Sequence, residues 1–333
     1  NARGVDTTVC FRGGWQDYER WNLDRNGTPM PSDGRYLTDV FTDEATAFIA
    51  RHAAGAQAGN PFFLHVTYNA PHDPRQAPEP DIAPFRERGE FTEAVSTIYG
   101  MIRRMDAGIA NILDALRRHG LEQDTIVLFT SDNGPQFGGV GEQCSDRFNC
   151  GLHGSKGNTY EGGVRVPMIV RHPASVPAGT DMSEFVHSTD WFTTLLAAAG
   201  VEPPRDVKLD GRNVLPMLRG EASVVDTPRF WQWNRYSPVI ASNAAMRDGE
   251  WKFVRPAISE TMQIPRWDIQ WNHMMRYNPE LVTDIIRTPD PKRDVPPPPP
   301  AELYHIASDP LEKHDVAADH PDRARRMTRE LET

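Results

Sequence analysis

The stretch Thr125–Pro167, TIVLFTSDNGPQFGGVGEQCSDRFNCGLHGSKGNTYEGGVRVP, decides how the rest of the chain is read. It opens on an apolar, β-branched run, Thr125 to Thr130, which predicts a buried strand. Ser131-Asp132-Asn133-Gly134 follows at once. A carboxylate and a carboxamide therefore sit at the carboxyl end of a strand, where open α/β sheets bind their ligands. Alone, Asp-Asn-Gly is an ordinary tight turn. As adjacent hard oxygen donors, Asp132 and Asn133 suit Ca²⁺ or Mg²⁺ rather than a soft metal. Glycine-rich chain then leads to Lys156 in Gly154-Ser155-Lys156-Gly157. A lysine flanked by glycines can approach an anion with little bulk around it. Tyr160-Glu161-Gly162-Gly163-Val164-Arg165-Val166-Pro167 closes the stretch and leads into a second buried strand, Val166 to Val170.

Upstream, Phe62 to Tyr68, FFLHVTY, predicts another buried strand, with Asn69-Ala70-Pro71-His72 at its carboxyl end. His72 thus takes the same topological position as Asp132. Asp73 to Pro84 is proline-rich and predicts a loop. Phe91 to His119 predicts a long helix, with Ile98, Ile102, Met105, Ile109, Ile112 and Leu116 on one face and Gly120 as its stop. That helix returns the chain to Thr125 and completes a βαβ unit. Tyr36 to His52 and Ser188 to Ala199 predict two further helices. Residues 1–36 read mostly as loop, with Arg25-Asn26-Gly27 as a turn. Trp15, Tyr18 and Trp21 suit either packing or sugar contact.

From about Thr227 the texture changes to short strand-like runs: Arg229 to Trp233, Ala244 to Arg247, Trp251 to Arg255 and Leu303 to Ile306. Arg247-Asp248-Gly249 predicts a hairpin turn, so these runs form a smaller antiparallel sheet. An irregular insertion, Pro256 to Pro300, carries Trp267, Trp271 and Tyr277, which suit sugar stacking or loop anchoring, and ends in five prolines. Pro321 to Leu331 predicts a charged terminal helix. The expected division is therefore a partial catalytic α/β domain, 1–226, and a C-terminal subdomain, 227–333.

At 333 residues and a net charge of −10, the chain holds a large core and disfavours nucleic acid as a partner. It fits a protein that gathers a divalent cation. No apolar run reaches the roughly 20 residues of a membrane span. The opening Asn1-Ala2-Arg3 reads as a fragment or processed product rather than a signal peptide. Three cysteines, Cys10, Cys144 and Cys150, make no disulfide framework and no zinc spacing. They read as buried or idle thiols, with Cys144 and Cys150 close enough in sequence to bridge a short loop.

Together these segments resemble the type I sulfatases of the alkaline phosphatase superfamily. Residues 125–167 resemble the C-terminal half of that family's active-site region. Pro61 to His72 resembles the strand ending in its sulfate-site histidine, and Ser188 to Gly200 its S-x-D…TLL-x-x-AG helix. Leu209-Asp210-Gly211 with Leu215 to Leu218, Arg247 to Lys252, and Glu302 to Ile306 with Asp309-Pro310 resemble its later segments. The resemblance implies an α/β fold, a mixed sheet flanked by helices with a smaller C-terminal antiparallel sheet, and hydrolysis of a sulfate monoester. In that family a formylglycine, made from Cys or Ser in C-x-[PA]-x-R, attacks sulfur beside Ca²⁺. Asp132 and Asn133 match two metal ligands, and His72 and Lys156 match groups around the sulfate. His153 and Asn149 are further candidates for substrate contact, while Glu161 and Arg165 read as loop structure. The implied partner is a sulfated small molecule or saccharide, and the implied location is periplasmic or secreted.

The departures are specific. None of Cys10, Cys144 or Cys150 begins C-x-[PA]-x-R, and the family's Asp-Asp pair and G-K-W-H segment are absent. The expectation is half a metal site, no nucleophile within these residues, and an inactive isolated chain. A phosphate or phosphonate ester hydrolase of the same superfamily, or a noncatalytic carbohydrate-binding relative, are the alternatives.

Overall fold

The computed structural model describes the chain except residues 1–4, 12–15, 138–147, 222–226, 265–268, 270–273, 275–277, 279–280 and 282–291. Trp15, Cys144, Trp267, Trp271 and Tyr277 therefore lie outside the described residues. The chain divides into two compact units. One holds 1–125, 137–148 and 265–288; the other holds 126–136, 149–264 and 289–333.

In the first unit, strands β1 (Val9–Cys10), β2 (Asn22–Arg25) and β3 (Thr28–Pro31) form an antiparallel sheet. Asn26 and Gly27, both at positive φ, make the expected turn between β2 and β3. The strands around that turn were not expected. They are only two to four residues long, and β3 carries two prolines, so no alternating pattern announces them. Helix α1 (Leu37–Gln57), α2 (Glu79–Arg86) and α3 (Glu93–Arg118) pack together. The Thr92 hydroxyl accepts from the Val95 amide and caps α3. Gly108 lets α1 approach closely, since a Cβ there would meet Thr42 Oγ1 at 2.5 Å. Helix α2 corrects the reading of 73–84 as loop alone: Pro80 falls in its first turn, where the missing amide costs nothing. Tyr18 and Trp21 are 0% and 1% exposed and sit in the core with Leu37, Val40 and Met101. They are packing aromatics.

The run Phe62 to Tyr68 is not a strand. Its side chains alternate between half-buried and exposed, with Phe63 69% exposed, as an extended chain requires. A strand also needs a ladder, and among the described residues none pairs with it. The expected βαβ unit is therefore not formed, and every strand pair described is antiparallel.

In the second unit, β4 (Val127–Thr130) pairs with β5 (Met168–Arg171), Leu128 opposite Val170. Four strands, β6 (Arg229–Gln232), β7 (Ala244–Asp248), β8 (Trp251–Arg255) and β9 (Glu302–His305), form an antiparallel sheet in sequence order. The β7–β8 hairpin turns at the expected residues. Alternation along β8 covers both faces of this sheet. Phe253 packs with Met246, Leu303 and Met327, which belongs to helix α7 (Pro321–Leu331). Val254 packs with Ala245, Tyr304 and Tyr160 on the other face. Short helices α4 (Glu161–Val164) and α6 (Leu215–Leu218) and the nine-residue α5 (Asp190–Ala198) complete the unit. Asp190, fully buried, accepts from the Arg212 amide (2.7 Å), the His187 amide (2.9 Å) and Arg229 Nη2 (2.5 Å). It ties the start of α5 to β6. Of the buried or idle alternatives for the thiols, Cys10 and Cys150 are not buried: both are free and exposed. No helix among the described residues is long and apolar enough to cross a membrane.

Candidate active site

The turn after β4 and the loop before α4 cross at the level of bare backbone. The Gly134 amide donates to Gly163 O (2.9 Å), Lys156 N to Pro135 O (2.9 Å) and Gly162 N to His153 O (2.6 Å). A Cβ on Gly134 would overlap the carbonyl of Gly162, one on Gly162 would overlap Gly154, and one on Gly163 would overlap Asn158. Only glycine fits at these three points, so the Asp132 turn and the Lys156 loop are held in fixed register.

That register brings Asp132, Asn133 and Lys156 to the lining of one open cavity of about 2350 Å³. The Asp132 carboxylate is exposed and pairs with no described residue. Asn133 Nδ2 donates to Gly134 O (3.0 Å), which leaves its carbonyl oxygen as the available ligand atom. Lys156 is half-buried, and no described carboxylate pairs with it. An unpaired ammonium in a concave wall can attract an anion by charge alone.

Beneath the loop lies a buried ion cluster. Lys252, on β8, is 0% exposed; its Nζ donates to Glu161 Oε1 at 2.8 Å and lies 2.9 Å from Glu312 Oε1. The second contact has ion-pair distance without hydrogen-bond alignment. Glu312 Oε2 also accepts from the Glu161 amide at 2.6 Å, the first peptide of α4. Burial pushes the Glu312 carboxyl above its ordinary range, against the pull of Lys252. Tyr160 and Tyr304 both donate to Glu302 Oε2, at 2.7 and 2.8 Å, and burial raises both phenols. The Tyr160–Glu161 step is thereby bolted to β8, β9 and the turn at Glu312. Glu161 is structural, as its sequence position suggests.

The other candidates fall as follows. Asn149 spends its carboxamide on Leu152 O (3.0 Å) and Gly154 O (3.3 Å), closing its own loop. His153 is exposed and stacks on Tyr160 at 4.0 Å. His72 belongs to the first unit. Its Nδ1 donates to Asp73 O (2.9 Å), so Nε2 faces outward as the free nitrogen. Tyr18, from the core, donates to the His72 carbonyl at 3.0 Å and fixes the backbone there. Among the described residues, no three His, Cys, Asp or Glu side chains gather as a metal cluster. Asp132 and Asn133 are two hard oxygens where calcium takes six to eight, a fit in chemistry and a shortfall in number.

Three residues outside the candidate sulfate site are not singled out by the sequence reading. Lys252, buried behind it, falls in a strand pattern that looks merely amphipathic. Trp233 and Arg235 follow β6, where an aromatic reads as strand filling. Their signal is exposure beside the cavity, which only coordinates reveal.

The description Sulfatase fits residues 2–201, and N-sulphoglucosamine sulphohydrolase, C-terminal, fits residues 151–270. The chain belongs to the sulfatase family. It is 33% identical over 218 residues to an uncharacterized sulfatase, YdeN, of Escherichia coli, covering 65% of this chain and 37% of that protein. It is 36% identical over 197 residues to the N-acetylgalactosamine-6-sulfatase of Homo sapiens, covering 59% of this chain and 34% of that one. Among solved structures, Ps i-CgsB superposes with a TM-score of 0.76 at 27% identity, over 99% of this chain and 66% of its own. The chain thus spans about a third to a half of the curated sulfatases it matches. These likenesses establish the alkaline-phosphatase-like α/β fold and the sulfatase assignment.

Proposed function

We propose that this sulfatase chain supplies part of the active site for hydrolysis of a sulfate monoester on a sulfated carbohydrate. The observation that carries the reading is the shared cavity: a carboxylate–carboxamide pair and an unpaired ammonium, locked in register by three glycines. A sulfuryl-transfer transition state spreads negative charge over its peripheral and leaving oxygens, so fixed cations around it supply most of the stabilisation. Lys156 would bind the sulfate oxygens. His72, which belongs to the other unit, is carried as a candidate for the leaving-group oxygen by the family resemblance. Asp132 and Asn133 would hold calcium, which when bound polarises the sulfate. The family's formylglycine motif is absent from these 333 residues, so the nucleophile would come from chain beyond them, and the 333 residues alone would be inactive. The carbohydrate assignment draws on relatives named for N-acetylgalactosamine-6-sulfate and on a solved structure of Ps i-CgsB with k-i-k-neocarrahexaose.

The test is a rate comparison on the protein expressed from its gene. Sulfate esters should be hydrolysed well ahead of matched phosphate and phosphonate esters, and Asp132→Ala or Lys156→Ala should lower kcat/KM by about 10²–10³-fold. Preference for the phosphate or phosphonate ester would move the chain to another branch of the superfamily. Unchanged rates in both variants would defeat the site assignment.

A further inference from the structure

The cavity that holds Asp132 and Lys156 is also lined by Trp233 and Arg235. Both side chains face solvent, Trp233 at 42% exposure. The Arg235 guanidinium lies over the indole, 4.7 Å from its centroid. The indole stands against the loop that carries Lys156: a Cβ on Gly157 would lie 3.6 Å from Trp233 Cζ3.

While these side chains are exposed, their backbone is fixed. Asn243 is buried at φ +45 and uses both hydrogens of its carboxamide, donating to Gly157 O at 2.7 Å and to Trp233 O at 2.8 Å. One side chain thereby sets the spacing between the Lys156 loop and Trp233. The Trp233 amide donates to Asn243 O (3.1 Å) and the Arg235 amide to Thr261 O (3.0 Å). Arg293 donates from Nη1 to Arg235 O (3.0 Å) and from Nη2 to Ser237 O (3.1 Å). A rigid backbone presenting an open indole and a stacked guanidinium is built for contact. An aromatic face offers area at little entropic cost. A guanidinium resting over that face can present its fork to a planar or tetrahedral anion.

We propose that Trp233 and Arg235 form a second subsite, which takes another anionic group, sulfate or carboxylate, on the saccharide whose sulfate ester lies at Lys156. The proposal rests on the reading of this cavity as a sulfate-ester site. It makes the chain selective for multiply charged glycans over singly charged esters, because a small aryl sulfate has nothing to place on Arg235.

The experiment uses the protein expressed from its gene, with Arg235→Ala and Trp233→Ala. Hydrolysis of 4-nitrophenyl sulfate is measured, and binding of heparin, chondroitin sulfate and carrageenan hexasaccharides is measured by calorimetry. At least one hexasaccharide should bind. Arg235→Ala should weaken that binding about fivefold or more and Trp233→Ala by about tenfold, with kcat/KM for the aryl sulfate held within about twofold. Arg235→Lys should restore charge but only part of the affinity, which a purely structural role for the guanidinium would not produce. Equal losses on both probes, or no loss on either, overturn the subsite. So does an unmodified protein that hydrolyses the aryl ester yet binds none of the hexasaccharides. A protein that hydrolyses no sulfate ester but binds a hexasaccharide through Arg235 keeps the subsite and defeats the proposed reaction instead.

Discussion

The second unit contains two sheets of similar apolar content and opposite fates. β4 and β5, VLFT and MIVR, are apolar in six of eight positions, yet none of their residues is fully buried and Ile169 is 61% exposed. β7 and β8 contain a lysine, an aspartate and two arginines, yet Ala245, Met246, Lys252, Phe253 and Val254 are all at or below 1% exposure. Composition does not explain the difference. Partners do: the four-stranded sheet is covered by α7 on one face and by the Tyr160 loop on the other, whereas β4 and β5 pack only Leu128, Met168 and Val170 against Trp191, Met217 and Leu218 and leave Ile169 to solvent. The lesson is that the rim carrying Asp132 takes its shape from the glycine crossing and the Lys252 cluster behind it, and little from its own sheet.

Substitutions can break or sharpen that contrast. The largest effect is expected at Lys252. Lys252→Met leaves Glu161 and Glu312 buried without their counter-charge and should cost about 3–5 kcal/mol by urea denaturation. Phe253→Ala, its neighbour on the opposite face, should cost about as much, ~3–5 kcal/mol, through a cavity beside Met246 and Met327. If either change cost under 1 kcal/mol, the four-stranded sheet would not be the stable half of the contrast. Gly134→Ala comes next. Its methyl must displace the Gly162 carbonyl, so a loss of about 1–3 kcal/mol is expected, together with loss of the Lys156 register.

A pH effect follows in size. Glu312 is raised above its ordinary 4.5 in the folded state, chiefly by burial. The folded protein then holds a proton that the unfolded chain releases near pH 4.5, so this group contributes stability that is fully present below that pH. The contribution is lost as pH rises through the folded value. Glu312→Gln should flatten this falling limb when stability is measured from pH 4 upward, while an unchanged slope would remove Glu312 as its source. The smallest effect is expected at Ile169→Ala, about 0.5 kcal/mol or less, because that side chain already meets water. A loss of 2 kcal/mol there would show that β5 is covered after all.

Much of the second unit is legible in the chain itself. Strand β4 with Asp132 and Asn133 after it, the glycine-flanked Lys156, the hairpin at Asp248-Gly249 and the terminal helix all follow from local pattern, because each is set by residues within a few positions. Three kinds of feature are not legible. Phe62 to Tyr68 has every mark of a strand, but strand formation depends on a neighbour that composition cannot name. Helix α2 hides behind Pro80, which its first turn tolerates, and Pro84, which lies inside it and reads as a breaker. Lys252 and Asn243 act on residues 91 and 86 positions away, and although Lys252 ends a segment that resembles the family, no local pattern shows either partner.

The three glycines at the crossing also mark where variation in this chain can and cannot occur. Backbone carbonyls of Gly162, Gly154 and Asn158 fill the space that a side chain at 134, 162 or 163 would need, so a mutagenesis library aimed at what the cavity accepts gains nothing from those positions. Positions 233 and 235 point outward from a pinned backbone and can be diversified freely. Retuning what the cavity accepts is thereby separated, residue by residue, from keeping it assembled.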